Sequence, residues 1–207
     1  MIRTLAPALL LLPALALNAC TPSEDKAEAP LPAGAWQLAA DQSNVAFVSV
    51  KGGNVGEAHS FKSLEGSVQP DGTVGVDIDL VSVDTGVDVR NERMREMLFE
   101  VASFPQAKLT AKIDPATISG LKPGERKAMT VPVTLDLHGT TNSIDARLMV
   151  TRLAGDTVLV ETAAPLILDA AAVGLGEGVE KLRAIANLPA ISSAVPVTAS
   201  LVFKPKV

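Results

Sequence analysis

In Val74-Gly75-Val76-Asp77-Ile78-Asp79-Leu80, every second residue is apolar and those between are glycine or aspartate. A period of two sends one set of side chains to a buried face and the other to solvent, which a strand can do and a helix cannot. The same alternation recurs in Leu109–Ile113, Val131–Leu137, Ile144–Leu148 and Val195–Leu201. Pro132 and Pro196 fall on the outward register of their segments, where each removes a ladder donor and predicts a sheet edge or a bulge. Pro70-Asp71-Gly72 reads as a short hairpin loop. Gly155-Asp156 and the stretch Lys122–Lys127 separate further strands. Alternating strands joined by turns predict an all-β, antiparallel sandwich or barrel. A barrel of about eight strands is wide enough to hold one small ligand.

Two segments depart from the period. Val89–Val101 places Met94, Met97, Leu98 and Val101 at helical spacing, with Asp88 as the expected N-cap. Val179–Ala186 places Val179, Leu182, Ile185 and Ala186 on one helical face. Each is a short helix expected across a barrel mouth or against its wall.

The first twenty residues, MIRTLAPALLLLPALALNAC, carry a positive charge at Arg3, then an apolar run from Leu5, and end on the single cysteine of the chain. The run falls short of the roughly 20 apolar residues that a spanning helix needs. It has the order of a secretory signal. Leu17-Asn18-Ala19-Cys20 resembles the lipobox of bacterial lipoproteins, which implies cleavage after residue 19 and a lipid on Cys20. Thr21 rather than aspartate after that cysteine implies, by the same resemblance, an outer-membrane lipoprotein facing the periplasm. The expected organisation is therefore a signal peptide over 1–19, a lipidated cysteine with a flexible Pro-, Ala- and charge-rich tether over 20–35, and a domain over 36–207. A lone cysteine permits no internal disulfide, so the domain must stand on its core. With 47% hydrophobic residues, the composition allows that.

The net charge of −5, without a basic stripe, argues against nucleic-acid binding. Candidate chemistry is sparse. The two histidines, His59 and His138, are distant in sequence and no patterned carboxylates accompany them, so no metal or cofactor is expected. No G-x-S-x-G or H-E-x-x-H pattern occurs. Gly174, Gly176 and Gly178 form G-x-G-x-G without the preceding strand that a phosphate loop requires. Asp77 and Asp79, and Glu92 and Glu96, read as solvated faces. Aromatic residues make up 3% of the chain and tyrosine is absent, which disfavours ligands bound by stacking and favours aliphatic ones.

Several stretches together resemble the YceI-like periplasmic proteins, the polyisoprenoid-binding or extended-lipocalin family. They are Trp36 with Ser43–Phe47, then Phe61 with Leu64–Val68, and Val83–Gly86 followed by Arg90–Met94. Phe99 with Phe104-Pro105-Gln106-Ala107 and Leu135–Thr141 complete the set. The resemblance runs from Trp36 to about Lys204. It implies a lipocalin-like antiparallel barrel around an elongated apolar tunnel that takes an isoprenoid-like or other long-chain lipid. The expected lining is Phe47, Val76, Ile78, Leu80, Leu135, Leu137 and Phe203. Met94, Leu98 and Phe99 are expected at one mouth, with Arg90 and His138 as candidate partners of a polar head group. The segment 174–193, longer than in a minimal member, is expected to cap or narrow the tunnel. The competing reading is a barrel filled by its own side chains, serving as a structural or partner-binding envelope protein; an enzyme is disfavoured. The partners expected are a lipid and, through Cys20, a membrane, while the sequence leaves both a monomer and a homodimer open.

Overall fold

The computed structural model describes residues 29–206. The expected signal peptide over 1–19, the lipidation site Cys20 and residues 21–28 of the tether lie outside the described residues.

The strand segments are β1 (Trp36–Leu38), β2 (Asn44–Lys51), β3 (Val55–Phe61), β4 (Leu64–Val68), β5 (Thr73–Asp79), β6 (Val83–Asp84), β7 (Gln106–Lys112), β8 (Arg126–Leu137), β9 (Thr140–Arg152), β10 (Val158–Thr162), β11 (Leu166–Asp169) and β12 (Ala194–Pro205). All pairings are antiparallel, and they reduce to eight strand paths in sequence order. Four paths are broken in the middle: β1 with β2, β3 with β4, β5 with β6, and β10 with β11. Each broken path pairs through both halves with its neighbours, and β12 returns to β1 and β2 to close the ring. Closure removes free sheet edges, and the result is an eight-path antiparallel barrel with few short helices.

The breaks are stitched by side chains. Between β1 and β2, Ser43 Oγ donates to the Ala39 carbonyl at 2.8 Å and accepts from the Val202 amide at 3.0 Å. Between β3 and β4, Ser82 Oγ accepts from the amides of Lys62 and Ser63 at 3.1 and 3.0 Å. The segment from Val74 to Leu80, which the alternation reads as one continuous strand, is itself cut. β5 stops at Asp79, whose carboxylate accepts the Val81 amide at 2.9 Å and opens a 3₁₀ turn over Leu80–Ser82. Leu80 is consequently a buried turn residue and not an inward strand position. Pro132 and Pro196 sit where a neighbour's pairing ends. β7 pairs with β8 only from Val133 onward, and β2 pairs with β12 only from Val197 onward. Each proline is thus at a local edge inside a closed sheet.

Among the described residues, three α-helices accompany the barrel: α1 (Asp88–Arg93), α2 (Ala116–Ser119) and α3 (Gly176–Ile185). α1 continues into a π-helical turn over Met94–Leu98, in which the Phe99 amide donates to the Met94 carbonyl at 2.9 Å. Asp88 is not the N-cap as expected. Val87 holds that position without a side-chain bond, and Asp88 is already helical. α1, the π turn and α3 gather at the barrel end that carries the β8–β9 hairpin, here called the upper end. α2, which carries no alternating or helical pattern, lies at the opposite, lower end beside the ends of β7 and β1.

The structured chain also reaches back beyond the expected boundary at Trp36. Leu31 is buried against Leu121, Val150 and Val158, and its amide donates to the Ser119 carbonyl at 3.0 Å. Residues 31–35, expected in the flexible tether, are held because Leu31 has an apolar socket at the lower end. Arg152, 2% exposed, anchors the same corner by donating from Nη1 to the Leu121 carbonyl at 2.9 Å.

Candidate binding site, a barrel hollow at one end

The barrel interior is divided along its axis. In the lower half a cavity of about 340 Å³ opens between the strands. Its wall comes from alternate residues of several paths, including Val74 and Val76, Leu109 and Ala111, Val131 and Val133, Ala146 and Leu148, and Ala199 to Phe203. Trp36 stands in the wall, while Leu31–Gly34 and the α2 residues Ala116, Ile118 and Ser119 close over the mouth. Among the described residues, no charged side chain lines it; Gln69, Thr110, Ser119 and Thr162 supply its polar groups. The space exists because β-branched and small residues predominate here. Valine and alanine on facing strands of an eight-stranded barrel do not meet across the axis.

The upper half is filled. Phe47, Phe61 and Phe99 form a cluster with centroid separations of 5.5, 5.8 and 6.5 Å, and His59 lies 5.0 Å from Phe47. Leu64, Ile78, Leu80, Leu135 and Leu137 complete the same buried core. His59 is 3% exposed and shares a 2.8 Å hydrogen bond between Nε2 and Ser49 Oγ. Burial holds its imidazole below the usual histidine pKa, and the nearby Arg90 charge acts in the same direction.

Beyond the aromatic divider, on the helix-covered side, is a second cavity of about 280 Å³. It lies among β2, β3, α1, the π turn, α3 and the loop before β12. Its apolar wall includes Phe47, Met94, Leu98, Val179 and Leu182; its polar side carries Ser49, Lys51, Glu57, Arg90 and Arg93. Glu57 pairs at 2.9 Å with both Lys51 and Arg90. The Lys51 hydrogen bond, joined by that of Arg90, holds the Glu57 carboxyl below its ordinary value. Arg90 also donates to the Thr85 carbonyl at 2.6 Å, while its Nε, buried, has no partner among the described residues.

The residues proposed from sequence are thereby sorted. Val76 and Phe203 line the lower cavity. Phe47, Arg90, Met94 and Leu98 line the upper one. Ile78, Leu80, Phe99, Leu135 and Leu137 are solid core between the two. His138 touches neither cavity. It occupies the β8–β9 hairpin with φ 48° beside Gly139 at φ 75°, the two-residue turn in which both positions need positive φ. Its ring packs 4.4 Å from Phe104, with Nε2 3.5 Å from the Glu100 carboxylate. The glycines of G-x-G-x-G have a packing role. A Cβ on Gly178 would lie 2.8 Å from Leu98 Cα and from the Met97 carbonyl, and one on Gly174 would lie 2.9 Å from the His138 carbonyl. The segment 174–193 covers the upper end and lines the upper cavity through α3 and Leu188–Ser192. Among the described residues, no three His, Cys, Asp or Glu side chains converge as metal ligands would.

An antiparallel eight-path barrel with a partly hollow apolar interior is of the lipocalin-like class. The chain belongs to the YceI-like domain family, whose model matches residues 36–203. It is similar to a polyisoprenoid binding domain from Saccharophagus degradans implicated in plant cell wall breakdown. That likeness has 41% identity and a TM-score of 0.81, and covers 84% of this chain and 99% of that one. BcnA of Burkholderia cenocepacia shares the fold at 24% identity and a TM-score of 0.59, over 80% of this chain and 98% of that one. The Campylobacter jejuni YceI protein shares it at 13% identity and a TM-score of 0.54, over 72% of this chain and 85% of that one. Among curated proteins, none matches this sequence.

Proposed function

We propose that the protein binds an apolar, isoprenoid-like chain in the lower half of its barrel and acts as a carrier or buffer for it. The observation that carries this reading is a cavity of about 340 Å³ whose lining, among the described residues, contains no charged side chain. The likeness to a polyisoprenoid binding domain at 41% identity supports the class of ligand. At roughly 30 Å³ for a water-sized group, the cavity takes on the order of ten carbons. Burying ten methylenes contributes about 8 kcal/mol, which equals micromolar affinity before ordering costs. A longer chain therefore keeps its remainder outside the mouth or displaces the phenylalanine divider. The ligand is held by burial, and no residue is assigned a catalytic role.

The test is mass spectrometry of a lipid extract of protein purified from its native host, set beside Ala146→Phe, which places a ring in the cavity. A stoichiometric apolar chain on the wild type, missing from a variant with unchanged melting, supports the reading. A wild-type protein that carries and takes up no such chain contradicts it, and favours the structural barrel that the filled upper half resembles.

Export and anchoring through a lipidated Cys20, with the barrel facing the periplasm from the outer membrane, complete the proposal. Leu31 lies at the lower mouth and only ten residues separate it from Cys20. At roughly 3.5 Å per residue, the tether keeps that mouth within about 40 Å of an anchored membrane. Cys20→Ser should move the protein from the membrane fraction to the soluble one; unchanged fractionation contradicts the anchor.

A further inference from the structure

We infer that the upper cavity is a second binding site, separate from the lower cavity, for a single-chain anionic amphiphile whose carboxylate or phosphate monoester sits against Arg93 and Arg90. The inference goes beyond the lower-cavity reading and does not rest on it.

Three observations converge. The two cavities share no lining residue, and the Phe47, Phe61 and Phe99 rings stand between them. The upper cavity therefore is not the far end of the lower one. Its charge is unbalanced, with Lys51, Arg90 and Arg93 against the single carboxylate of Glu57. Glu57 is already shared by Lys51 and Arg90, and Arg93 has no ion-pair partner among the described residues. A half-buried guanidinium beside apolar walls favours an anion that brings its own apolar tail. Finally, of the six exposed large aliphatic side chains among the described residues, Val87, Val89 and Ile185 all stand at this cavity. Exposed apolar surface gathered at one charged pocket marks a binding surface rather than scatter.

The volume sets the tail. About 280 Å³ takes on the order of nine carbons at roughly 30 Å³ each, so a medium-chain fatty acid fits and a diacyl lipid does not. The tail lies among Met94, Leu98, Leu182 and Ile185. The head remains at the mouth, where the Arg93 guanidinium donates to it as a fork.

The experiment is calorimetric titration of the full folded protein carrying Ala146→Phe, which closes the lower cavity to apolar chains, with dodecanoate below its micelle concentration and with dodecanol and acetate as tail-only and head-only probes. Trp36, the only tryptophan, lines the lower cavity and reports independently on that compartment. Expected is one dodecanoate per chain, at least about tenfold tighter than either control, with Trp36 emission unchanged. Arg93→Ala should weaken it about tenfold or more, Arg93→Lys less. Leu182→Trp, which fills the pocket without touching the charges, should also abolish it. Thermal melts establish that each variant is folded. No binding by the Ala146→Phe protein overturns the inference. So does equal binding of dodecanol, equal binding by folded Arg93→Ala, or a Trp36 shift on dodecanoate addition.

Discussion

The two halves of this barrel are built on the same eight strand paths and differ in what points inward. The lower half presents Val131, Val133, Ala146, Val160 and Ala199 around Trp36, and stays hollow. The upper half presents Phe47, Phe61, Phe99, Leu64 and Leu135, and is filled. The contrast shows that strand number alone does not decide whether a small barrel is a container. A few aromatic positions do. It also separates ligand capacity from stability: one half holds the fold together and the other leaves room.

The largest effects should fall on that contrast. Leu135→Ala in the packed half is expected to cost about 4 kcal/mol, and Leu148→Ala in the hollow wall about 2 kcal/mol or less. The second side chain already faces empty space, so its removal forfeits fewer contacts. Urea unfolding of both variants measures the difference, and equal costs would erase the distinction between the halves. Gly178→Ala should cost about 1–3 kcal/mol, because its Cβ would meet Leu98 Cα and the Met97 carbonyl at 2.8 Å. Gly56→Ala, whose Cβ meets only Val48 Cγ1 at 3.8 Å, should be near neutral in the same assay.

A pH series sharpens the comparison further. His59 belongs to the packed half and its pKa is lowered by burial, then by Arg90; Glu57 opposes this and Lys51 adds to it. The folded state therefore resists protonation that the unfolded state accepts. Its contribution is fully present above the unfolded value near 6.5 and is lost as pH falls below it toward the lower folded value. Wild-type stability should drop on acidification through about pH 6, and His59→Gln should flatten that drop. A wild-type profile flat between neutral and mildly acid pH contradicts the assignment. The smallest effect concerns Asp71 at the lower rim, lowered to about 2 chiefly by the Lys112 hydrogen bond at 2.7 Å. Being exposed, Asp71→Asn should leave stability nearly unchanged at neutral pH. Its carboxyl, followed by NMR, should titrate well below 3.8 in the wild type, and Lys112→Ala should return it toward that value.

Much of the architecture was legible in the alternation. Val74–Asp79, Val131–Leu137 and Val195–Leu201 are strands with the inward residues that their period assigns. The breaks were not legible, because Ser43, Asp79 and Ser82 act through backbone bonds that carry no periodic signal. The π turn extends the helical spacing around Met94 and Leu98 without a composition of its own. For the site, the alternation told inward from outward but not upper from lower. It could not separate Val76, which lines the hollow, from Ile78, which packs two residues later in the core. Leu31 and Ile118 lie in segments without any pattern, and only the tertiary closure of the lower mouth brings them to the cavity. His138, attractive as one of two histidines, is explained by its turn conformation and its packing on Phe104.

Emission from Trp36 during titration with a short prenyl alcohol such as farnesol reads the hollow half directly, since no other tryptophan exists in the chain. A saturable spectral change at micromolar ligand, abolished in folded Ala146→Phe and retained in Arg93→Ala, is the expected result. An unresponsive Trp36 in the wild type, or a response that Ala146→Phe leaves intact, would contradict an apolar chain seated in the lower barrel.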